Sequence, residues 1–184
     1  MIQATWKGAA NGNFRAGRAG HSVTGIVIHV MDGTLPGTDT WFNTVGANVS
    51  AHYGVGKDGA VHQYVEEKDE AFHAGTVREP AWPLICAGGA CEDVNPNLFT
   101  IGIEHEGLAT DEWPDAQYWV SAALVADICA RNNIPIDAYH IVPHRAIRAD
   151  KTCPGKGDVG RIIAMAFEIQ SQRAVDTAAT TGEK

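Results

Sequence analysis

Two side chains that commonly bind metal ions, those of His144 and Cys153, lie nine residues apart in a proline-containing segment. Pro143, Pro154 and Gly155 are incompatible with a continuous helix or a central strand at this place. On a straight helix, residues nine positions apart would be separated by about 13 Å along the axis, whereas a loop can turn both side chains toward one point. The segment is therefore predicted to be a loop whose two donors can share one ion.

A third donor is expected from His29, which lies in the apolar run of residues 25–31. Isoleucine and valine dominate this run and predict a strand buried on both faces, where an imidazole needs a polar partner. Two histidines and one cysteine around zinc leave the fourth tetrahedral position for water, which is typical of hydrolytic rather than structural zinc sites. Taken alone, His29 fits a hydrogen-bonded core histidine equally well.

A carboxylate that could assist hydrolysis lies in residues 98–107. Strand alternation places Glu104 and Glu106 on one face and Ile101 and Ile103 on the other. If the first face is exposed to solvent, both glutamates are ordinary surface residues. If it faces the metal, Glu104 can act as a general base whose pKa is tuned by burial and by the cation.

The other histidines have less specific surroundings. His73 lies among small residues, so it can either approach a ligand closely or cap a turn. His52 and His140 are expected to be structural, and His140 could also hold a metal-bound imidazole in place. His62 is expected to be exposed on a predicted strand.

The elements that must position these residues are strands combined with two amphipathic helices. Residues 51–65 are typical of a hairpin with an Asp-Gly turn. One helix is predicted from Pro114 to about Asn132, and another is predicted to follow an Asp158 cap and to end near Gln170. Residues 77–97 contain three prolines and a Gly-Gly pair, which predicts a long irregular loop that could wall a binding groove.

Length and composition favour a single domain. The 184 residues are 45% hydrophobic and 20% charged, with a net charge of −8, which suits an ordinary core and argues against a nucleic-acid partner. No run approaches the roughly 20 apolar residues of a membrane span, and the first residues lack the pattern of a secretory signal peptide. We therefore expect synthesis in the cytoplasm, and we expect a monomer.

The four cysteines are too few and too scattered for a disulfide scaffold. Cys129 lies in a helical pattern and is expected to be a small buried apolar residue. Cys86 and Cys91 are separated by four small residues, which favours either a local disulfide or two reduced thiols.

These segments together resemble the type-2 N-acetylmuramoyl-L-alanine amidases, a zinc superfamily that includes phage lysins, cytoplasmic muropeptide amidases and peptidoglycan-recognition proteins. The resemblance covers roughly residues 25–167, and it is specific because five individually weak segments occur in the same order. They are Ile-Val-Ile-His29, Ala-His-Tyr-Gly-Val-Gly-Lys-Asp-Gly59, Phe-His-Ala-Gly75, Ile-Gly-Ile-Glu104, and His144 with Lys151-Thr-Cys-Pro154.

The resemblance implies an α/β fold with a mixed central β-sheet flanked by helices. One catalytic Zn²⁺ would be bound by His29, His144 and Cys153 in a surface groove. Residues 1–171 would form the zinc amidase domain, and residues 172–184 would form a flexible C-terminal tail. The substrate would be peptidoglycan or a muropeptide, cut between the lactyl group of N-acetylmuramic acid and L-alanine.

The resemblance also implies roles for three further residues. Glu104 would accept a proton from water and pass it to the leaving amine, and Lys151 would stabilise the oxyanion. His73 is expected to contribute to substrate binding. Ala51 stands where some members carry a catalytic tyrosine, so Glu104 is expected to be the polar catalyst.

Several other functions remain open at this point. A non-catalytic peptidoglycan-binding module would typically lack the cysteine ligand, and a blue-copper site would need a methionine, which does not occur between His144 and Met165. A structural zinc site would need a fourth protein ligand. Within the amidases, Cys153 and the polar tail favour a phage-type lysin that acts at the cell wall after release, with a cytoplasmic muropeptide-recycling enzyme as the alternative.

Overall fold

The computed structural model describes residues 1–86, 91 and 93–181. Four helices and eight strands are present in this part of the chain. The helices are α1 Leu35–Phe42, α2 Pro83–Cys86, α3 Asp115–Asn132 and α4 Val159–Thr181. The strands are β1 Thr5–Trp6, β2 Phe14–Arg15, β3 Gly25–Val30, β4 Tyr53–Val55, β5 Val61–Gln63, β6 Glu70–Ala71, β7 Thr100–His105 and β8 Ile141–Pro143.

Six strands form the main sheet in the order β1-β5-β4-β7-β3-β8, and β2 pairs with β6 in a small second sheet. The β4–β5 pair is the predicted hairpin and is antiparallel, whereas β4, β7, β3 and β8 run parallel to one another. The predicted mixed sheet flanked by helices is therefore confirmed. Because β7, β3 and β8 are parallel neighbours, their carboxyl ends meet at one edge of the sheet.

The two faces of β3 serve different purposes. Ile26 and Ile28 point into the larger core cluster, which also contains the buried faces of α3 and α4. Val27 and His29 alternate with them and point to the opposite face, where Val27 joins a second cluster that includes Trp82. Helices α3 and α4 thus cover one face, and the polar side chain of His29 lies on the other.

The last helix is longer than the sequence predicts. It begins directly after Asp158, whose side chain accepts a hydrogen bond from the Arg161 N–H, so the predicted cap is confirmed. It continues to Thr181, whereas a flexible tail was predicted from residue 172. Arg173 explains part of the difference, because its guanidinium binds the buried Asp127 carboxylate of α3 at 2.7 Å. The residues after Thr181 lie outside the described part.

The described part of residues 77–97 packs against the body of the protein. Trp82 is buried and donates its indole N–H to the Tyr139 carbonyl at 2.6 Å. Cys86 and Cys91 form a disulfide, which is one of the two alternatives that the sequence left open. The described residues of this loop do not line the cavity that contains the metal-binding side chains, so the expected groove wall is absent from this part of the loop.

Candidate active site

Three metal-binding side chains converge at the carboxyl-terminal edge of the sheet. His29 lies near the end of β3, and His144 directly follows β8, which pairs with β3. The loop after His144 folds back, since the Arg145 N–H donates to the Cys153 carbonyl at 3.0 Å. One potential ligand atom from each of His29, His144 and Cys153 lies within 4.8 Å of the others. The structure therefore brings together the three predicted ligands.

The loop conformation depends on Gly155. Its φ angle is +65°, and a Cβ atom at this position would lie 2.1 Å from the Ala109 carbonyl oxygen. Only glycine combines a left-handed backbone with such a close approach. The glycine that marked this segment as a loop is thus required for the turn that returns Cys153 to the sheet.

The hydrogen bonds made by the three side chains leave one metal-binding atom of each side chain available. The His29 Nε2 atom contacts His73 Nδ1 at 3.1 Å, and His29 Nδ1 lies 3.9 Å from the Cys153 Sγ atom. The His144 Nε2–H group donates to the Ala74 carbonyl at 3.0 Å, which leaves Nδ1 for an ion. The Val30 N–H donates to Cys153 Sγ at 3.2 Å. Two imidazoles and one thiol, each anchored on the side away from the common point, form a donor set that fits zinc.

Burial controls the protonation of the ligands. It lowers the pKa of His29 well below the ordinary value, and it also lowers the pKa of His144. Both imidazoles are therefore neutral near pH 7, as metal binding requires. Burial, together with the negative charge of Glu104, raises the pKa of the Cys153 thiol to about 12. A cation at this point would offset that increase, since metal ions bind the thiolate.

Glu104 lies beside the ligands. It pairs with His29 across β7 and β3, and its Oε1 atom is 3.9 Å from His29 Nδ1. Among the described residues, its buried Oε2 atom has no hydrogen-bond partner. Burial, with a smaller contribution from the charge of Asp32, raises the pKa of Glu104 to about 8. A buried carboxyl group with an unpaired oxygen next to three metal donors is suited to exchange protons with a water at the ion.

The three metal-binding side chains and Glu104 share one open cavity with His73. Its volume is about 390 Å³, and Lys151 lies exposed at its edge. His73 lies behind His29, with both ring nitrogens within hydrogen-bonding distance of protein groups. The roles of Lys151 and His73 stay predictions, although both residues lie where the sequence analysis expected them.

Sequence reasoning missed two charged residues of the cavity. Asp32 follows the carboxyl end of β3. Arg148 lies in the loop of residues 144–155, the ligand loop, and binds Asp150. The position of Asp32, two residues after a buried strand and before a glycine, is a signal that could have identified it. Arg148 carried no comparable signal, because its proximity to the cavity depends on how the loop folds back.

Comparison with known proteins agrees with this geometry. A family model described as N-acetylmuramoyl-L-alanine amidase matches residues 19–156. The chain belongs to this amidase family. The matched region contains all three converging ligands and Glu104.

Two amidases and one solved structure illustrate the similarity. N-acetylmuramoyl-L-alanine amidase A of Achromobacter lyticus is 33% identical over 153 residues, covering 77% of this chain and 75% of that protein. The 1,6-anhydro-N-acetylmuramyl-L-alanine amidase AmpD of Salmonella typhimurium (strain SL1344) is 36% identical over 108 residues, covering 58% of this chain and 51% of AmpD. A selenomethionine AmpD structure has a TM-score of 0.69 at 27% identity, covering 90% of this chain and 95% of that one.

The chain is thus an enzyme of the N-acetylmuramoyl-L-alanine amidase type, which hydrolyses the bond between N-acetylmuramic acid and L-alanine. Zinc dependence is typical of this family, and the convergent His, His and Cys side chains form a possible metal site. A peptidoglycan-type substrate fits the family. None of the described helices has the length and apolar character needed to span a bilayer.

Proposed function

We propose that this amidase uses a single catalytic zinc ion bound by His29, His144 and Cys153. The observation that carries the proposal is the convergence of these three donors in an open cavity, next to a buried oxygen of Glu104 that lacks a partner in the described structure. The absence of a fourth protein donor from the cluster found among the described residues favours a catalytic over a structural zinc site.

The protein groups have separate roles in the proposed hydrolysis. Zinc bound by these residues would supply a Lewis acid and lower the pKa of a water. Glu104 accepts the proton of the attacking water and then passes it to the amine of L-alanine as the amide bond breaks. Lys151, at the edge of the same cavity, places a positive charge where the carbonyl oxygen becomes negative.

For the substrate, we propose intact peptidoglycan, cut by a phage-type lysin that is made in the cytoplasm, acts as a monomer and reaches the wall after release. The third ligand supports this choice, because Cys153 resembles the lysin and recognition-protein pattern, whereas many cytoplasmic members carry aspartate there. The expected polar tail no longer supports it, since residues 172–181 are helical.

A soluble anhydromuropeptide is the second candidate substrate. It is favoured by the 36% identity to a protein named as a 1,6-anhydro-N-acetylmuramyl-L-alanine amidase. The two candidates share the bond that is cut and differ in the size of the sugar portion. Because the cavity is open, its shape does not select between these two substrates, and a direct comparison of their hydrolysis is needed.

The test uses the zinc-loaded full chain on purified sacculi and on a soluble anhydromuropeptide, and it quantifies free stem peptides by mass spectrometry. A lysin should clear the sacculi and release peptides that begin with L-alanine, whereas a recycling enzyme should act mainly on the soluble substrate. Chelation should abolish both activities, and added zinc should restore them. Release of L-alanine-terminated peptide from neither substrate would contradict the amidase proposal.

A further inference from the structure

A line of hydrogen bonds runs from His29 through His73, which also lines the cavity, to Thr100 in the interior. His29 Nε2 contacts His73 Nδ1 at 3.1 Å, His73 Nε2 contacts the Thr100 hydroxyl at 3.2 Å, and that hydroxyl contacts the Pro96 carbonyl at 2.7 Å. The exposed fractions are 2% for His29, 7% for His73 and 0% for Thr100. Water therefore has little access to these three side chains.

The direction of each hydrogen bond follows from the group at the interior end. The Pro96 carbonyl can only accept, so the Thr100 hydroxyl donates its proton to it. The hydroxyl oxygen is then the acceptor for His73 Nε2–H. The His73 ring is buried between two uncharged groups, the imidazole of His29 and the hydroxyl of Thr100, so it is neutral and carries a single proton. His73 Nδ1 is consequently an acceptor, and His29 Nε2 must donate to it.

The position of the His73 ring is fixed by two further features. The His73 backbone N–H donates to the Asn97 side-chain oxygen at 3.1 Å. The ring lies directly over Gly102 of β7, where a Cβ atom would be only 2.4 Å from His73 Cγ. The ring planes of His73 and His29 are nearly perpendicular, at 87°, and the two facing nitrogens are 3.1 Å apart.

We infer that His73 is a positioning residue that holds His29 in the tautomer with a proton on Nε2 and a free lone pair on Nδ1. That lone pair is on the side of Cys153 and Glu104, where the ion is proposed to bind. The inference rests on the proposed zinc function. It replaces the expected substrate contact of His73, because both ring nitrogens already have partners inside the protein.

The opposite placement of the ring protons on His73 and His29 would oppose metal binding. If His73 carried its proton on Nδ1, that group would donate to His29 Nε2, and the His29 proton would move to Nδ1. The ion would then have to displace a proton from the nitrogen that it needs. Thr100 accepts a hydrogen bond from His73 Nε2–H. It thereby selects the arrangement of ring protons that leaves His29 Nδ1 free for the ion, although Thr100 itself is two side chains away from the ion.

The experiment compares His73→Leu with His73→Asn in the full-length chain. The asparagine Oδ1 atom can occupy the place of Nδ1 and accept from His29, whereas leucine has a similar size and no acceptor. Zinc affinity is measured by competition with a chromophoric chelator, and the His29 tautomer of the metal-free protein is read from two-bond ¹H–¹⁵N NMR spectra. We expect His73→Leu to weaken zinc binding about 10- to 100-fold and to lose the pure Nε2–H signature, and we expect His73→Asn to restore both.

A second pair of variants tests the interior end and remains informative if His73→Leu does not fold. Thr100→Val keeps the side-chain shape without the hydroxyl, and Thr100→Ser keeps the hydroxyl. Zinc affinity should fall in Thr100→Val, to a value between those of wild type and His73→Leu, and it should be retained in Thr100→Ser.

Two results would overturn the inference: wild-type zinc affinity and tautomer in Thr100→Val or in folded His73→Leu, or equal weakening by His73→Asn and His73→Leu. Failure of the wild-type protein to bind zinc would instead contradict the proposed function. In that case the His29 tautomer in the metal-free variants still tests the role of His73.

Discussion

At the residue scale, two glutamates on the same strand face have very different surroundings. Glu106 accepts a hydrogen bond from the Lys57 N–H at 2.9 Å. Glu104, two residues earlier, lies beside His29, and burial raises its pKa to about 8. Alternation put both carboxylates on one face, but only Glu104 lines the cavity with the metal-binding side chains. The chemistry therefore depends on the position of each residue along the strand.

Glu104→Gln should retain zinc while turnover falls at least about 100-fold, because the amide cannot accept a proton from water. Turnover is measured as release of stem peptide, and zinc content is measured by elemental analysis. Glu106→Gln is the matched control, and it should keep nearly normal activity. Near-normal turnover in Glu104→Gln would remove this residue from the mechanism.

The raised pKa of Glu104 predicts a pH-dependent stability of the metal-free protein. The carboxyl group ionises near its ordinary value of 4.5 in the unfolded chain and at about 8 in the folded one. Between these values the unfolded chain binds fewer protons, so the free energy of unfolding should fall as pH rises. Between pH 5 and pH 8.5, the free energy of unfolding of the wild type should fall by on the order of 3 kcal/mol more than that of Glu104→Gln.

Urea unfolding of both metal-free proteins at the two pH values measures this difference. The buried histidines have lowered pKa values and contribute the opposite slope, but they are present in both proteins and cancel in the comparison. If the free energy of unfolding changes equally with pH in the wild type and in Glu104→Gln, the pKa of Glu104 is not raised in the folded state.

At the element scale, the site is a product of strand register. His29 of β3 pairs with Glu104 of β7, and Ile28 pairs with Pro143 of β8, so His144 follows at the level of His29. Paired residues of neighbouring strands share a face of the sheet. The three side chains are thus aligned before the loop adds Cys153.

Gly102 of β7 provides the space for the His73 ring, and this can be tested by adding one methyl group. Gly102→Ala would place Cβ 2.4 Å from His73 Cγ, so the ring or the strand must move. We expect a loss of about 1–3 kcal/mol in the free energy of unfolding, together with weaker zinc binding. Urea unfolding and zinc titration measure the two effects.

Gly33→Ala is a suitable control for this substitution. Its Cβ would lie 3.9 Å from the Met31 carbonyl oxygen, which is an ordinary van der Waals contact. The alanine should therefore be accommodated with little loss of stability. Equal effects of the two substitutions would indicate that the cost comes from the loss of glycine flexibility rather than from the His73 ring.

At the scale of the whole molecule, the metal site and the helical layer connect distant parts of the chain. The side chain of Asp127 on α3 accepts from the backbone N–H of Ile2 and from Arg173 of α4. On the other face of the sheet, a zinc ion would join β3 to the loop of residues 144–155. Neither connection can exist in the unfolded chain, so both favour the compact state.

Zinc should therefore raise the global stability of the protein. An ion that binds only the folded state adds about 4 kcal/mol at a free concentration 1,000 times the Kd. For a chain of this size we expect an increase in Tm of about 10 °C, measured by calorimetry with and without buffered zinc. Cys153→Ser, which removes the thiolate, should show a much smaller increase, and an unchanged Tm in the wild type would argue against a bound ion.

The sequence by itself determined the main secondary-structure elements and the residues that can bind a metal ion. A continuous run of isoleucine and valine predicted β3, and strand alternation predicted β7. An Asp-Gly turn predicted the β4–β5 hairpin, and Pro114 and Asp158 marked the starts of α3 and α4 within one residue. The prolines and glycine around Cys153 predicted the ligand loop. These predictions succeed because helix caps, turns and alternation depend on residues that are near one another in the chain.

The tertiary structure decided the functions of individual atoms. His29 and His73 are 44 positions apart, and no local pattern shows that one accepts a hydrogen bond from the other or which ring nitrogen of His29 stays free. The part of α4 beyond the predicted end is held by the contact of Arg173 with Asp127, 46 positions away. Sequence spacing identifies which groups can bind an ion, but the environment that sets their protonation and orientation consists of residues brought close only by folding.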